Sequence, residues 1–317
     1  MATPPATTTI FERMSALARE TGAINLGQGF PDREHAPELL EAARRALIEH
    51  SNQYPPMRGL AELRQAVAAY YRRTQQLAVE VDEVIVTSGA TEALAAAILA
   101  FVKPGDEAIV FQPAYDAYRP LIERAGGTVK PVNLVPPRWA LPLDALEAAI
   151  GPNTRAVILN TPNNPTGTLA GRETLERLGE ICARHDLILI CDEVWEAMIF
   201  GGMPHVSPLM IPSLRNRSVK IGSAGKIFSL TGWKIGWAVA ARPLAEALAA
   251  QHQFLTFTTA TPLQWAVAEG LALPTRWHEA QRAQYAAART RLVDGLADAG
   301  FALLPADATW FVTIDLA

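Results

Sequence analysis

The chain has 317 residues, enough for one large domain and a smaller one, and half of them are hydrophobic. Its 28 Lys and Arg against 32 Asp and Glu give a net charge of -4 with no basic cluster, which argues against nucleic acid or an anionic membrane as partner. No apolar run reaches membrane-spanning length, Met1–Pro5 lacks the layout of a signal peptide, and Cys182 and Cys191 have the spacing of neither a zinc site nor a disulfide framework. A cytoplasmic protein with reduced thiols and no metal is the expectation.

Along the chain, the Pro-rich start reads as a mobile arm. From about residue 34, helical periodicity appears in Pro37–His50, Leu60–Gln76, Thr91–Val102, Leu141–Ile150 and Gly171–His185. Between them lie short apolar runs at 84–87, 108–111, 156–159 and 187–190, with further strand candidates at 219–221 and 237–240. Continuously apolar strands alternating with helices predict an α/β fold, a largely parallel sheet covered on both faces. After Arg242 the sequence predicts three helices, Pro243–Leu255, Pro262–Leu273 and Arg276–Ala299, and then a strand, Thr309–Ile314. Arg282, Arg289 and Arg291 are read as the solvated face of the last helix.

Four polar clusters follow predicted strands, where open α/β sheets hold their ligands. Thr87-Ser88-Gly89-Ala90-Thr91 runs from a strand into a helix, so exposed N–H groups could bind a phosphate; an ordinary helix cap would look the same. In Asn160–Gly167, two Pro and a Gly fix a loop whose Asn amides can donate to a ligand oxygen, although a structural turn has this composition too. Asp192 directly follows buried apolar residues and needs a partner, which a cationic ring nitrogen, a backbone donor or an arginine could supply. Lys226, flanked by small residues in Ser223-Ala224-Gly225-Lys226, can form a Schiff base, or it is a solvated loop lysine; Lys234 follows eight residues later. A phosphate anchor, an amide donor, an acid for a pyridinium and an imine-forming amine are what pyridoxal 5′-phosphate requires.

These clusters are accompanied by Asn25–Asp32, Tyr54 with Gly59-Leu60 and Leu63-Arg64, Gln112–Tyr118 and Thr256–Pro262. With them the chain resembles, end to end, the class I and II aminotransferases of fold type I, and most of all the methionine and kynurenine aminotransferase branch. The resemblance implies an N-terminal arm and part of a small domain in residues 1–33, a large cofactor-binding domain in 34–245, and connecting helices with a truncated small domain in 246–317. It implies that Lys226 holds the cofactor and moves the substrate proton, and that Asp192 pairs with the pyridinium. Asn164 and the residue at 195 would serve the ring's 3′-oxygen, and Tyr115 would stack on the ring. Gly89, Ala90, Thr91, Ser223 and Lys234 would surround the phosphate, joined by Tyr54 from the neighbouring subunit of a homodimer. Gly29, Asn164 and Phe11 would meet the substrate.

Two departures from the family pattern stand out. Trp195 takes the place of a tyrosine hydroxyl, and an indole cannot accept a hydrogen bond. The arginine that clamps the substrate carboxylate in the family would lie beyond Ala317, which predicts impaired turnover. The expected reaction is amino transfer from an L-amino acid, apolar, aromatic or sulfur-containing, to a 2-oxo acid. The alternatives are a carbon–sulfur β-lyase and a truncated cofactor-binding paralogue.

Overall fold

The computed structural model describes residues 10–27, 29, 31 and 36–316. Gln28, Phe30 and Asp32 of the N-terminal motif, and the expected arm at residues 1–9, lie outside the described residues. Two compact units divide at Glu34/His35. In the N-terminal unit, helix α1 (Ile10–Thr21) is followed by an extended segment in which Asn25 caps the turn, its Oδ1 accepting from the Gly27 amide at 3.0 Å and its Nδ2 donating to Ser15 Oγ at 3.0 Å.

The second unit carries a seven-stranded sheet. Its strands are β1 (Val84–Thr87), β2 (Glu107–Gln112), β3 (Thr128–Asn133), β4 (Thr154–Asn160), β5 (Ile188–Asp192), β6 (Ser218–Ser223) and β7 (Gly236–Ala240), in the spatial order β1-β7-β6-β5-β4-β2-β3. All neighbours are parallel except β7, which runs antiparallel to both β1 and β6. Among the described residues of the same unit, these strands are accompanied by helices α2 (Pro37–Glu49), α3 (Ala61–Gln75), α4 (Ala90–Phe101), α5 (Tyr118–Arg124), α6 (Leu143–Ala149), α7 (Arg172–Arg184), the single turn α8 (Ala224–Ile227), α9 (Arg242–Leu255) and α10 (Thr261–Leu271). The chain then continues through the long α11 (Thr275–Asp298) to a two-stranded ribbon, β8 (Ala302–Leu303) with β9 (Ile314–Asp315).

Successive strand residues face opposite sides of a sheet, so an unbroken apolar strand needs cover on both. Ile85, Val110, Ile158, Ile190, Ile221 and Ala238 pack beneath α4 and α9. The residues between them turn the other way, Val157, Leu189 and Cys191 meeting α6 and α7, and Val86 and Trp237 meeting α3 and α10. Each fully buried Leu or Ile contributes about 1.5–3 kcal/mol, so the central strands hold the sheet as a rigid platform.

Thr309–Ile314 is not a strand. Of these residues only Ile314 lies in a strand, paired with Leu303; Thr309 and Thr313 make single backbone bonds to Met198 and Leu304, and Trp310 and Phe311 are spent on side-chain packing. Arg289 is not on a solvated face either: it is half-buried, donates to the Ala306 carbonyl and lies over the Phe200 ring at 5.8 Å, tying α11 to the segment after β8.

Candidate active site

The period of two also decides which side chains meet at the carboxyl ends of the strands. Asn160 ends β4 on the face of Ile158, Asp192 ends β5 on the face of Ile190, and Ser223 ends β6 on the face of Ile221. Asn160 and Asp192 are register partners, and the Asn160 Nδ2 donates to the Asp192 carbonyl at 2.8 Å, so the two strand ends are locked together. Asn160 Oδ1 in turn accepts from the Asn164 amide at 2.6 Å, which carries the half-buried Asn164 to the same rim.

The Asp192 carboxylate is 4 % exposed. It accepts from the Tyr118 hydroxyl at 2.7 Å and from the Val194 amide at 3.3 Å. Burial pushes its pKa up, against the pull of those two donors and of Lys226, so a further cationic partner would favour the ionised form. Tyr118 is the donor that spacing alone did not single out, although it closes the Gln112–Tyr118 motif. Tyr115 meets Tyr118 edge-on at 5.6 Å.

Lys226 sits one turn past β6, in α8. Burial lowers its amine from the usual lysine range to about 8; Asp192 opposes this and Lys234 adds to it. The amine lies 4.5 Å from the Trp195 ring centre and 5.0 Å from that of Trp310, within cation–π range of both. Trp310 and Phe311 each meet Trp195 edge-on, at 4.7 and 5.4 Å, and Tyr285 stacks on Trp310 at 5.8 Å. An aromatic wall beside Lys226 was not expected from sequence; its members lie far apart along the chain.

At the start of α4, Gly89 adopts φ 81°, a conformation that favours glycine, and a Cβ there would come within 3.1 Å of Lys234 Nζ. The absent side chain thus leaves the lysine amine against the first amides of α4, a cationic cradle for an anion. Tyr54 is 83 % exposed and stands edge-on to Phe257 at 5.6 Å. Phe11, on α1, and Gly29 both belong to the N-terminal unit.

Behind Asp192, on the opposite face of the sheet, lies a buried network that the sequence reading missed. Lys220, fully enclosed in β6, places Nζ 2.5 Å from Glu193 and 2.6 Å from Glu196. Glu193 also meets His205 at 2.6 Å and Ser207 at 3.0 Å; Glu196 accepts from Tyr71 at 2.9 Å and Gln75 at 2.6 Å. The signal was present as a lysine inside an apolar strand and two glutamates, one within and one just after the Asp192–Trp195 turn.

The donor set fits pyridoxal 5′-phosphate: a cationic cradle at a helix start, a buried acid, and a desolvated amine between them in the fold. Comparison with known proteins agrees. Residues 21–317 match the family model described as aminotransferase class I and II. The chain is 43 % identical over 316 residues to a probable N-succinyldiaminopimelate aminotransferase of Mycobacterium tuberculosis, covering 98 % of this chain and 79 % of that protein. It is 40 % identical over 313 residues to the methionine aminotransferase of Escherichia coli, covering 98 % and 81 %. The solved Mycobacterium tuberculosis N-succinyldiaminopimelate aminotransferase superposes with a TM-score of 0.95 at 42 % identity, over 98 % of this chain and 82 % of that one. The chain belongs to the class I and II aminotransferases, a family that uses pyridoxal 5′-phosphate.

Proposed function

We propose that this aminotransferase takes the amino group of an L-amino acid with an apolar, aromatic or sulfur-containing side chain and passes it to a 2-oxo acid. The observation that carries the reading is the Lys226 amine, desolvated to about 8 beside the buried Asp192. When bound, pyridoxal phosphate supplies an aldehyde and a ring able to absorb the electrons of a substrate carbanion. Lys226 would hold the aldehyde, and its free amine would move the proton at the substrate Cα. Asp192, kept in place by Tyr118 and Val194, keeps the ring nitrogen protonated. Gly89, Ala90, Thr91, Ser223 and Lys234 surround the phosphate. Tyr115 would cover the ring, and Asn164 would serve its 3′-oxygen and the substrate. Tyr54, exposed on Phe257, reaches the phosphate of a second subunit in a homodimer.

The two indole rings near the reacting amine, with Phe311 and Tyr285 packed on them, favour an apolar or thioether side chain over a charged one, since sulfur and methylene groups pack well on ring edges. Relatives named for methionine and kynurenine fall in this range, whereas N-succinyldiaminopimelate, for which another relative is named, is a charged donor outside it. The test is the absorbance of the cofactor-loaded protein against a panel of amino acids. Methionine and aromatic donors are expected to change the spectrum at lower concentration than aspartate; the reverse order would remove the specificity assignment.

Lys226 also gives a pH prediction. Only the free amine attacks an aldehyde, so the rate at which the apoprotein captures pyridoxal should climb as pH rises toward about 8 and level off above it. Stopped-flow absorbance measures this directly, and a rate still climbing at pH 10 would contradict the desolvated amine.

A further inference from the structure

Glu92 occupies the first turn of α4, at the helix end that the phosphate reading assigns to an anion. Its Oε2 accepts from the Ser88 amide at 2.5 Å, which fixes the bend between β1 and α4. Its Oε1 accepts from Thr256 Oγ1 at 2.8 Å and lies 2.6 Å from His252 Nδ1. The other ring nitrogen, Nε2, is 2.9 Å from the Met57 carbonyl. Both imidazole nitrogens therefore face oxygen atoms that can accept, an arrangement that favours the imidazolium form of His252. His252 is fully enclosed, and burial alone would lower its pKa; the two bonds to Glu92 and Met57 reverse this and hold it raised.

A bare carboxylate at this helix end would compete with a phosphate for the same positive potential. Paired with His252, Glu92 keeps its grip on Ser88 while its charge is cancelled. We propose that Glu92 and His252 are a charge-neutral positioning pair for the cofactor's phosphate, Glu92 shaping the Thr87–Ala90 loop and His252 removing the negative charge that would repel the incoming anion. The proposal rests on the reading of Lys226 and the α4 start as the pyridoxal-phosphate site.

The test titrates apoprotein variants with pyridoxal phosphate and, separately, with pyridoxal, which lacks the phosphate, following the cofactor absorbance. His252→Gln is expected to weaken pyridoxal phosphate by about tenfold or more, the scale of an uncancelled like charge roughly one helical turn away, and to leave pyridoxal affinity unchanged. In Glu92→Gln/His252→Gln, both partners are neutral and the affinity for pyridoxal phosphate should return close to that of the wild type. Equal weakening of both aldehydes, or a double variant as weak as His252→Gln, overturns the proposal. If His252→Gln does not fold, Glu92→Gln carries the test: its amide oxygen can still accept from Ser88, so it should bind pyridoxal phosphate at least as tightly as the wild type, and weaker binding overturns the proposal. A wild type that captures neither aldehyde defeats the site reading and this proposal with it, whereas a wild type that binds both beside indifferent variants defeats the proposal alone.

Discussion

In Lys226→Ala, amino transfer is expected to fall by about 10⁴-fold, the upper end of what a positioned proton-transfer group contributes, with the loss of covalent attachment added to it. The fold should survive. Lys226 is a partly buried amine held by two indole faces rather than by a direct ion pair, and without it Asp192 loses a nearby cation but keeps its Tyr118 and Val194 donors. It also removes a cation that burial disfavours. Borohydride reduction of the loaded protein followed by peptide mapping should label Lys226 in the wild type and no residue in the variant. A variant that still cycled between donor and acceptor would remove Lys226 from the reaction.

Lys220→Met should be the most damaging single change to stability, for a reason unrelated to the reacting atoms. It leaves Glu193 and Glu196 enclosed with no cation between them, and breaking a buried pair by removing one partner costs about 3–5 kcal/mol. Burial would lower the Lys220 pKa, but the two glutamates outweigh it and raise it; burial would likewise raise Glu193, but Lys220 and His205 outweigh it and lower it. In the wild type, therefore, the Glu193 contribution is present above the ordinary carboxylate pKa and is lost as pH falls through its depressed folded value. The variant should show the opposite sign. With Lys220 gone, burial is left to raise Glu193, so the variant should gain stability as pH is lowered from 8 toward 5. Urea unfolding at the two pH values measures this, and Lys220→Met/Glu193→Gln/Glu196→Gln should recover most of the loss. Equal midpoints for wild type and Lys220→Met at pH 8 would show that the network contributes nothing.

The network also explains why the Asp192–Trp195 turn is so well placed. Asp192 and Trp195 look into the candidate site, while Glu193 and Glu196 look back through the sheet to Lys220. Gly222, beside them on β6, admits the Trp237 and Tyr71 side chains so closely that a Cβ would come within 2.2 Å of Trp237 Nε1 and 2.7 Å of the Tyr71 hydroxyl. Gly222→Ala should therefore push Tyr71 away from Glu196 and lower the unfolding midpoint. A midpoint equal to that of the wild type would show that the strand can yield.

Much of this was legible in the sequence because the strands are buried on both faces and end in polar residues. Apolar runs located β1, β2, β4, β5, β6 and β7 to within a few residues, and the polar residues that close them located Asn160, Asp192 and Ser223. Other elements gave weaker signals. Strand β3 contains Lys130 and Pro131, which suit it to the sheet edge it occupies and hide its apolar period. Helix α5 is seven residues long with a proline at its third position, too short for a helical period to show. Thr309–Ile314 misled in the other direction, since an aromatic run reads as a strand whether its backbone pairs or its rings pack. The Glu92–His252 and Lys220 pairings join residues far apart in the chain, and no local spacing announces them.

The position of β1 bears on how the chain is made. It is complete by Thr87, yet its sole neighbour, β7, begins only at Gly236. On the ribosome, β2, β3 and β4 can pair soon after they emerge, while Val84–Thr87 must wait until Gly236–Ala240 has been made. Such late, non-local closure slows folding and exposes apolar backbone to other chains. The first strand translated is among the last to be paired, so the long interval between them is where a nascent chain of this enzyme is most in need of a chaperone.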